Sequence, residues 1–419
     1  MNQTNTLTAT PWNGITKFLF RYFFAFCALS IFPAIGNILF TIVSKLLNLL
    51  FESEITYHPS GSGDTLYDYY KLTFSLITAL AGACLWSLID RKSKEYKLIL
   101  YWQETYIRYY LGMFMLVYGF SKVIKTQFTY PSLTSLMLPL GNKSPMGLAW
   151  TFMGFSDTYT IFSGLCEVAA GLLLMYRKTR TLGAIVCFGV MLNVFLMNMS
   201  YDIPVKLFSF QLMLLAAFLI GLDYKRLVNF FILNKPVGTQ FNRQPFKSKK
   251  ANLITQIVKG VAIITASGFM IYNGLRSQKM MYGDACPKPA MYGIYEAEDF
   301  IMNNDTLPPT LTDTNRWKNI VFEKGDGVNI FKMNSSNWGN LLRYRAETDT
   351  LKKEISFFSY SDSTEVGRLK YYKTDSIHYT FEGIFKNDTI KLNTRRSDEK
   401  DFPLISKGFN WVNEYPDNR

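Results

Sequence analysis

The chain is poor in charge. Only 18% of its 419 residues are Asp, Glu, Lys or Arg, whereas a soluble domain carries about 25%. It has two histidines, His58 and His378, and both fall in stretches read here as exported. Paired axial histidines for a haem inside a helix bundle are therefore excluded. The five cysteines include no C-x-x-C, so a dithiol mechanism has no sequence support. No His, Cys and carboxylate cluster has metal-ligand spacing, and no metal is expected. Neither G-x-x-x-x-G-K-[ST] nor G-x-G-x-x-G occurs, which argues against a nucleotide-driven pump.

What is present is apolar. The chain is 48% hydrophobic, with 34 Phe and 26 Tyr. Its mean hydropathy is only +0.04, so the apolar residues are concentrated in part of it. A span needs ~20 apolar residues to cross a hydrocarbon core of ~30 Å. Seven stretches qualify, at roughly 17–49, 73–90, 103–124, 159–176, 181–200, 205–222 and 252–273. The first is too long for one straight helix, and Pro33 is expected to kink it. It also exceeds the h-region of a signal peptide and reads as an uncleaved span.

Charge divides the chain. Residues 1–273 hold 24 Lys and Arg against 11 Asp and Glu, while residues 274–419 hold 21 of each. Basic residues cluster after the second, fourth and sixth stretches, at 91–97, 177–180 and 223–251. The positive-inside rule then puts the N-terminus in the cytoplasm and residues 274–419 outside it. The expected location is a bacterial inner (cytoplasmic) membrane, with the C-terminal part periplasmic. A membrane accounts for the basic excess, and no nucleic-acid partner is expected.

The predicted organisation follows. Residues 1–102 form two transmembrane helices with an exported loop. Residues 103–222 form a four-helix bundle, 223–251 a basic cytoplasmic linker, and 252–273 the last span. Residues 285–419 change character: short alternating runs with turn signals at 324–327 and 386–388 predict an exported antiparallel β domain, a sandwich or a lipocalin-like barrel. The ending, KGFNWVNEYPDNR, would clasp an open barrel edge or contact a partner.

Ionisable groups inside spans are costly and point to function. Arg108, Gly112, Gly119 and Lys122 lie at relative positions 0, 4, 11 and 14, within an arc of ~80° on one helix face. The face would pack inward, or the two cations would snorkel to opposite ends. Glu167 sits midway along its span between Gly164 and Gly171. It would form a structural pair with Arg108 or Lys122, or serve as a proton carrier or ligand-binding group. Asn193 and Asn198 are ~140° apart, so at most one joins that cavity, and Asn193 is the candidate. The glycines would let helices approach closely.

The pattern R-x3-G-x6-G-x2-K at Arg108, Gly112, Gly119 and Lys122 is followed by a proline-containing exported loop with Pro131, Pro139 and Pro145. G-x2-E-x3-G at Gly164, Glu167 and Gly171 comes next, and Gly183 opens a further helix. Residues ~103–222 thus resemble the DoxX-like family of small four-helix membrane proteins. The resemblance implies a link to quinone-dependent redox chemistry, with Arg108, Lys122 and Glu167 around a quinone headgroup. No cofactor is evident from the residues themselves. The chain departs from the short family pattern by its extra spans and its β domain. Two functions follow as expectations: a redox-linked quinone or small-ligand binder, or a non-enzymatic anchor or assembly factor presenting the β domain to a periplasmic protein or lipid. Enzymatic activity and oligomeric state stay open.

Overall fold

The computed structural model describes residues 12–31, 33–51, 55–57, 59–238, 248–280, 283–335 and 338–416. His58, Arg243, Lys247 and the last three residues of the C-terminal stretch lie outside them. The chain divides into two compact units, residues 1–120 with 164–264 and residues 121–163 with 265–419. The division falls inside three helices, and it groups the proline-containing loop with the β domain.

The helices are α1 (Gly14–Ser30), α2 (Pro33–Phe51), α3 (Leu66–Ile89), α4 (Lys97–Val123), α5 (Leu133–Met137), α6 (Pro145–Phe155), α7 (Asp157–Met175), α8 (Arg180–Ser200), α9 (Lys206–Gly221), α10 (Tyr224–Leu227), α11 (Lys249–Met280) and α12 (Pro403–Ser406). Local chemistry sets their starts. Asn13 accepts from the Thr16 amide at 2.7 Å to begin α1, and Thr65 and Asp68 form a reciprocal capping box on α3. Pro33 opens α2, so the long first apolar stretch is two helices rather than one kinked rod.

Among the described residues, four helical segments are long and apolar enough to cross a membrane: Leu66–Ile89, Asp157–Met175, Arg177–Ser200 and Lys249–Met280. A fifth qualifies if α9 and Tyr224–Ile232, bent by 69°, count as one. Seven stretches are expected from sequence. The difference lies in the split first stretch and in α4, which carries Gln103, Glu104 and Arg108 in its first half.

In the first unit, α1 packs on α3 and α8 on α9. Buried Arg21 joins α1 to the end of α3, donating to Ser87 Oγ at 2.7 Å and to the Asp90 carbonyl at 2.8 Å. The core gathers Ile107, Leu111 and Met115 of α4 with Ala170 and Leu174 of α7, Cys187 of α8 and Leu215 of α9.

The second unit is built on a barrel. Its strands are β1 (Gly293–Met302), β2 (Asp305–Thr306), β3 (Trp317–Phe322), β4 (Gly327–Lys332), β5 (Leu342–Asp349), β6 (Glu354–Phe358), β7 (Glu365–Lys373), β8 (His378–Phe385) and β9 (Asp388–Ser397). All pairings are antiparallel, and β1 also pairs with β9 from Ile294↔Ser397 to Met302↔Ile390. Eight strands therefore close, and β2 adds a short arm to β1. The closed barrel replaces the sandwich alternative.

The barrel needs no end segment to clasp its edge, because closure removes the edge. Instead, Phe409, Trp411, Val412 and Tyr415 of the C-terminal stretch are 75–91% exposed. The interior is filled: Tyr295, Ile320, Ile330, Phe357, Leu369 and Phe381 are each 0% exposed. Edge-to-face pairs Tyr295–Phe381 at 5.2 Å and Trp317–Phe385 at 4.9 Å occupy the space a lipocalin-like ligand would need.

Candidate functional site

Of the sequence-predicted residues of the first unit, Arg108, Gly112 and Gly119 of α4 and Gly164, Glu167 and Gly171 of α7 lie on the two helices that share one seam, and Asn193 does not. A Cβ added at Gly112 would lie 3.2 Å from the Gly171 carbonyl, and one at Gly171 would lie 2.9 Å from the Gly112 carbonyl. One added at Gly119 would meet Val168 and, at 2.9 Å, the Gly164 carbonyl. The two backbones approach where neither helix has a side chain, which brings their polar groups within reach of each other.

Arg108 is 2% exposed. Its Nε donates to the Leu174 carbonyl at 3.0 Å and its Nη2 to the Met175 carbonyl at 3.2 Å. These are carbonyls at the end of α7, which lack helical partners. The guanidinium thus closes a helix terminus and does not snorkel. Glu167 is 2% exposed and close enough to Tyr118 of α4 and Cys187 of α8 for its charge to act on both. Asn193 is exposed on α8. The inward asparagine is Asn198, 2% exposed, whose Nδ2 donates to Ser209 Oγ of α9 at 3.0 Å. The five-residue offset put only one of the two on the inner face, and that one is Asn198.

An ionic cluster joins the other ends of these helices. Arg180 Nη1 lies 2.8 Å from Glu104 Oε1, and Arg180 Nη2 pairs with Asp223, which also accepts from Thr181. Arg177 stands 3.6 Å from Glu104. Arg180, Glu104 and Asp223 are each under 9% exposed. Sequence reading placed Arg180 among loop charges. Its inward turn depends on two carboxylates distant in sequence, which no local spacing reveals.

In the second unit, Lys122 is 5% exposed, with Nζ 5.9 Å from the Phe128 ring. The more extensive polar joint is at Lys125, which sequence reading did not single out. Its φ of +57° turns the chain sharply after α4. Its Nζ pairs with Asp157, donates to the Gly154 carbonyl at 3.3 Å, and lies 2.7 Å from Asp284 Oδ2. Burial alone would push this ammonium down. The hydrogen bonds to Asp157 and Asp284 outweigh it and hold the group above its usual value.

Asp284 and one further acid, Glu323, bind the same loop through its backbone. Asp284 Oδ1 accepts from the Tyr130 amide at 2.9 Å. Glu323, just after β3, accepts from the Thr134 and Leu133 amides at 2.8 and 3.2 Å. Asn329 of β4 donates to Thr134 Oγ1 at 2.9 Å. Leu133 and Leu138 then pack on Ile294, Val321 and Phe331. Beside this joint lies a cleft of about 210 Å³ lined by Tyr130, Asp284, Cys286, Tyr292, Lys324 and Glu399. The Tyr292 hydroxyl donates to Glu399 Oε2 at 2.8 Å, and Lys288 pairs with Glu399 Oε1 at 2.8 Å. Burial, with the bond to Glu399, pushes the Tyr292 phenol up. Glu399 is held below its usual range, because its two donors outweigh its burial.

Of the cleft acids, Asp284 and Glu323 hold the loop, and Glu399 is held by Tyr292 and Lys288. Among the described residues no group of three His, Cys, Asp or Glu could hold a metal. His378 opens β8 and is half-buried, with Nδ1 2.7 Å from Asp375 Oδ2 in the turn before it.

No protein-family model matches the chain, and no solved structure does. A stretch of 124 residues, 30% of the chain, is 32% identical to the uncharacterized protein YwoB of Bacillus subtilis (strain 168) and covers 79% of it.

Proposed function

The chain belongs to the family of the uncharacterized protein YwoB, and from that premise we propose a non-enzymatic membrane anchor or assembly factor. The helical unit, DoxX-like in its motifs, crosses the bacterial cytoplasmic membrane with its N-terminus inside. The barrel unit is held on the periplasmic side and presents its outer surface to a partner. One observation carries this reading: the proline-containing loop is bound to the barrel by Lys125, Asp284, Glu323 and Asn329. A loop that only linked two spans would need no such joint. The filled barrel interior and the closure of Arg108 on backbone carbonyls support it too, because both use polar or apolar capacity for structure.

The redox-linked reading keeps one support, the burial of Glu167 between Tyr118 and Cys187. Complementation of a gene deletion separates the two. Glu167→Gln should restore function, and a chain ending at residue 284 should not, although it still sediments with membranes. Failure of Glu167→Gln at wild-type abundance, with a stoichiometric quinone in the purified protein, would replace the anchor reading with the redox one.

A further inference from the structure

The ionic cluster of the first unit leaves a charge imbalance. Arg180 lies between Glu104 and Asp223, Arg226 adds to Asp223 at 3.7 Å, and Arg177 stands by Glu104. Among the described residues no carboxylate acts on Lys259, and the one that acts on Arg108, Glu104, is already paired with Arg180. Lys259 stands ten residues into α11, ~15 Å from its start. Its ammonium lies over two phenol rings, Tyr109 of α4 at 5.4 Å and Tyr176 after α7 at 5.8 Å. The other charged groups that act on it are Arg108 and Arg177, both cations. Arg108 engages Nε and Nη2 on carbonyls, and Nη1 is outside both bonds.

Like charges gathered where water is scarce repel strongly. The arrangement calls for an anion. The neighbours of Lys259 along α11 restrict which kind: Ile257, Val258 and Val261 are 56–61% exposed, and Tyr176 is 49% exposed. A ligand here must bring a negative group to the cations and apolar chains to the surface around them. We propose that Lys259 and the Tyr109 and Tyr176 phenols bind the phosphodiester of an anionic phospholipid, with buried Arg108 adding its positive charge behind them. The aromatic rings would fix the lysine, and the phenols would add donors to the phosphate oxygens. The site lies toward the Lys97 end of α4, which the positive-inside reading makes the cytoplasmic leaflet. It rests on the membrane-spanning reading of the helical unit, but not on the anchor function.

The test is native mass spectrometry of the full chain in detergent, titrated with phosphatidylglycerol, phosphatidylcholine or inorganic phosphate. The wild type should retain one phosphatidylglycerol and little phosphatidylcholine. Lys259→Met should weaken that retention about fivefold or more, and Lys259→Arg should keep it. Helical circular dichroism of each variant shows that the fold is intact. Equal retention by wild type and Lys259→Met overturns the site. Binding of inorganic phosphate with no preference for phosphatidylglycerol overturns the lipid assignment. Carbonate extraction of membranes is the separate control: release of the chain into the supernatant sinks the spanning reading itself, whereas a membrane-resident protein with an indifferent Lys259→Met sinks only this inference.

Discussion

The two units use buried charge in opposite ways. In the helical unit, polar groups close on neighbouring helices: Arg108 on the end of α7, Arg180 on Glu104 and Asp223, Asn198 on Ser209. In the barrel unit, acids at the barrel's rim and approach reach a loop more than 150 residues earlier, through its backbone amides and Lys125. The first pattern satisfies charge and polarity buried among apolar helices. The second fixes one segment upon another, as a presenting platform requires. The difference teaches that the bundle's charges hold its helices together, whereas those of the barrel unit organise a surface.

The largest expected effect tests the filled barrel. Phe381 is 0% exposed and meets Tyr295 edge-to-face. Phe381→Ala should cost about 3–5 kcal/mol of barrel stability, read by denaturant unfolding. A loss under about 1 kcal/mol would mean the interior tolerates a void, and a ligand-holding barrel would return as a reading.

Next comes the joint itself. Lys125→Met leaves Asp284, whose side chain is 28% exposed, without its cation, and breaking a fully buried pair costs about 3–5 kcal/mol. The figure falls to about 2–3 because the Asp157 side chain is 67% exposed and already hydrated. The visible result should be proteolysis within 125–134 while the barrel stays resistant. Unchanged protection would make the joint ornamental and weaken the platform reading.

Gly171→Ala probes the bundle side. Its new methyl would meet the Gly112 carbonyl at 2.9 Å and Met115 Cβ at 3.2 Å, and overpacking costs about 1–3 kcal/mol. A lowered melting temperature in detergent, with the barrel unaffected, would show that the two units fail separately.

Much of this was legible, for reasons that can be named. β6, the first half of β8 and β9 alternate cleanly, and side-chain direction has period two, so the pattern reads directly there. β1 is harder to read than these, because a bulge between Ala297 and Asp299 breaks its alternation, and because Glu296, Glu298 and Asp299 give it the composition of a loop. Closure was not legible, since it depends on the pairing of the first strand with the last. In the bundle, the glycine spacing of α4 and α7 located a face, because 3.6-residue periodicity is local. Arg180, Lys125 and Lys259 were not found as site residues, because each is defined by partners 32 to 159 residues away. The choice between Asn193 and Asn198 needed the helix's rotation, which two polar residues alone do not fix.

The smallest effect sharpens the comparison through pH. Glu399 is held below its usual value, so its contribution is present above the unfolded carboxylate range, about pH 4.3, and is lost as pH falls through the lower folded value. Tyr292 is pushed up, so its contribution is complete below about pH 10 and disappears as pH rises through the folded value. The pair should therefore protect the Phe402–Lys407 amides across a plateau between those limits, with loss at both ends. Hydrogen exchange corrected for intrinsic rate measures it. In Glu399→Gln the acid limb should vanish, because an amide does not titrate there, while the bundle variant Gly171→Ala should leave both limbs in place. An acid limb that survives in Glu399→Gln would overturn the assignment, because the Tyr292–Glu399 pair would then not be the acid-labile contact of this segment.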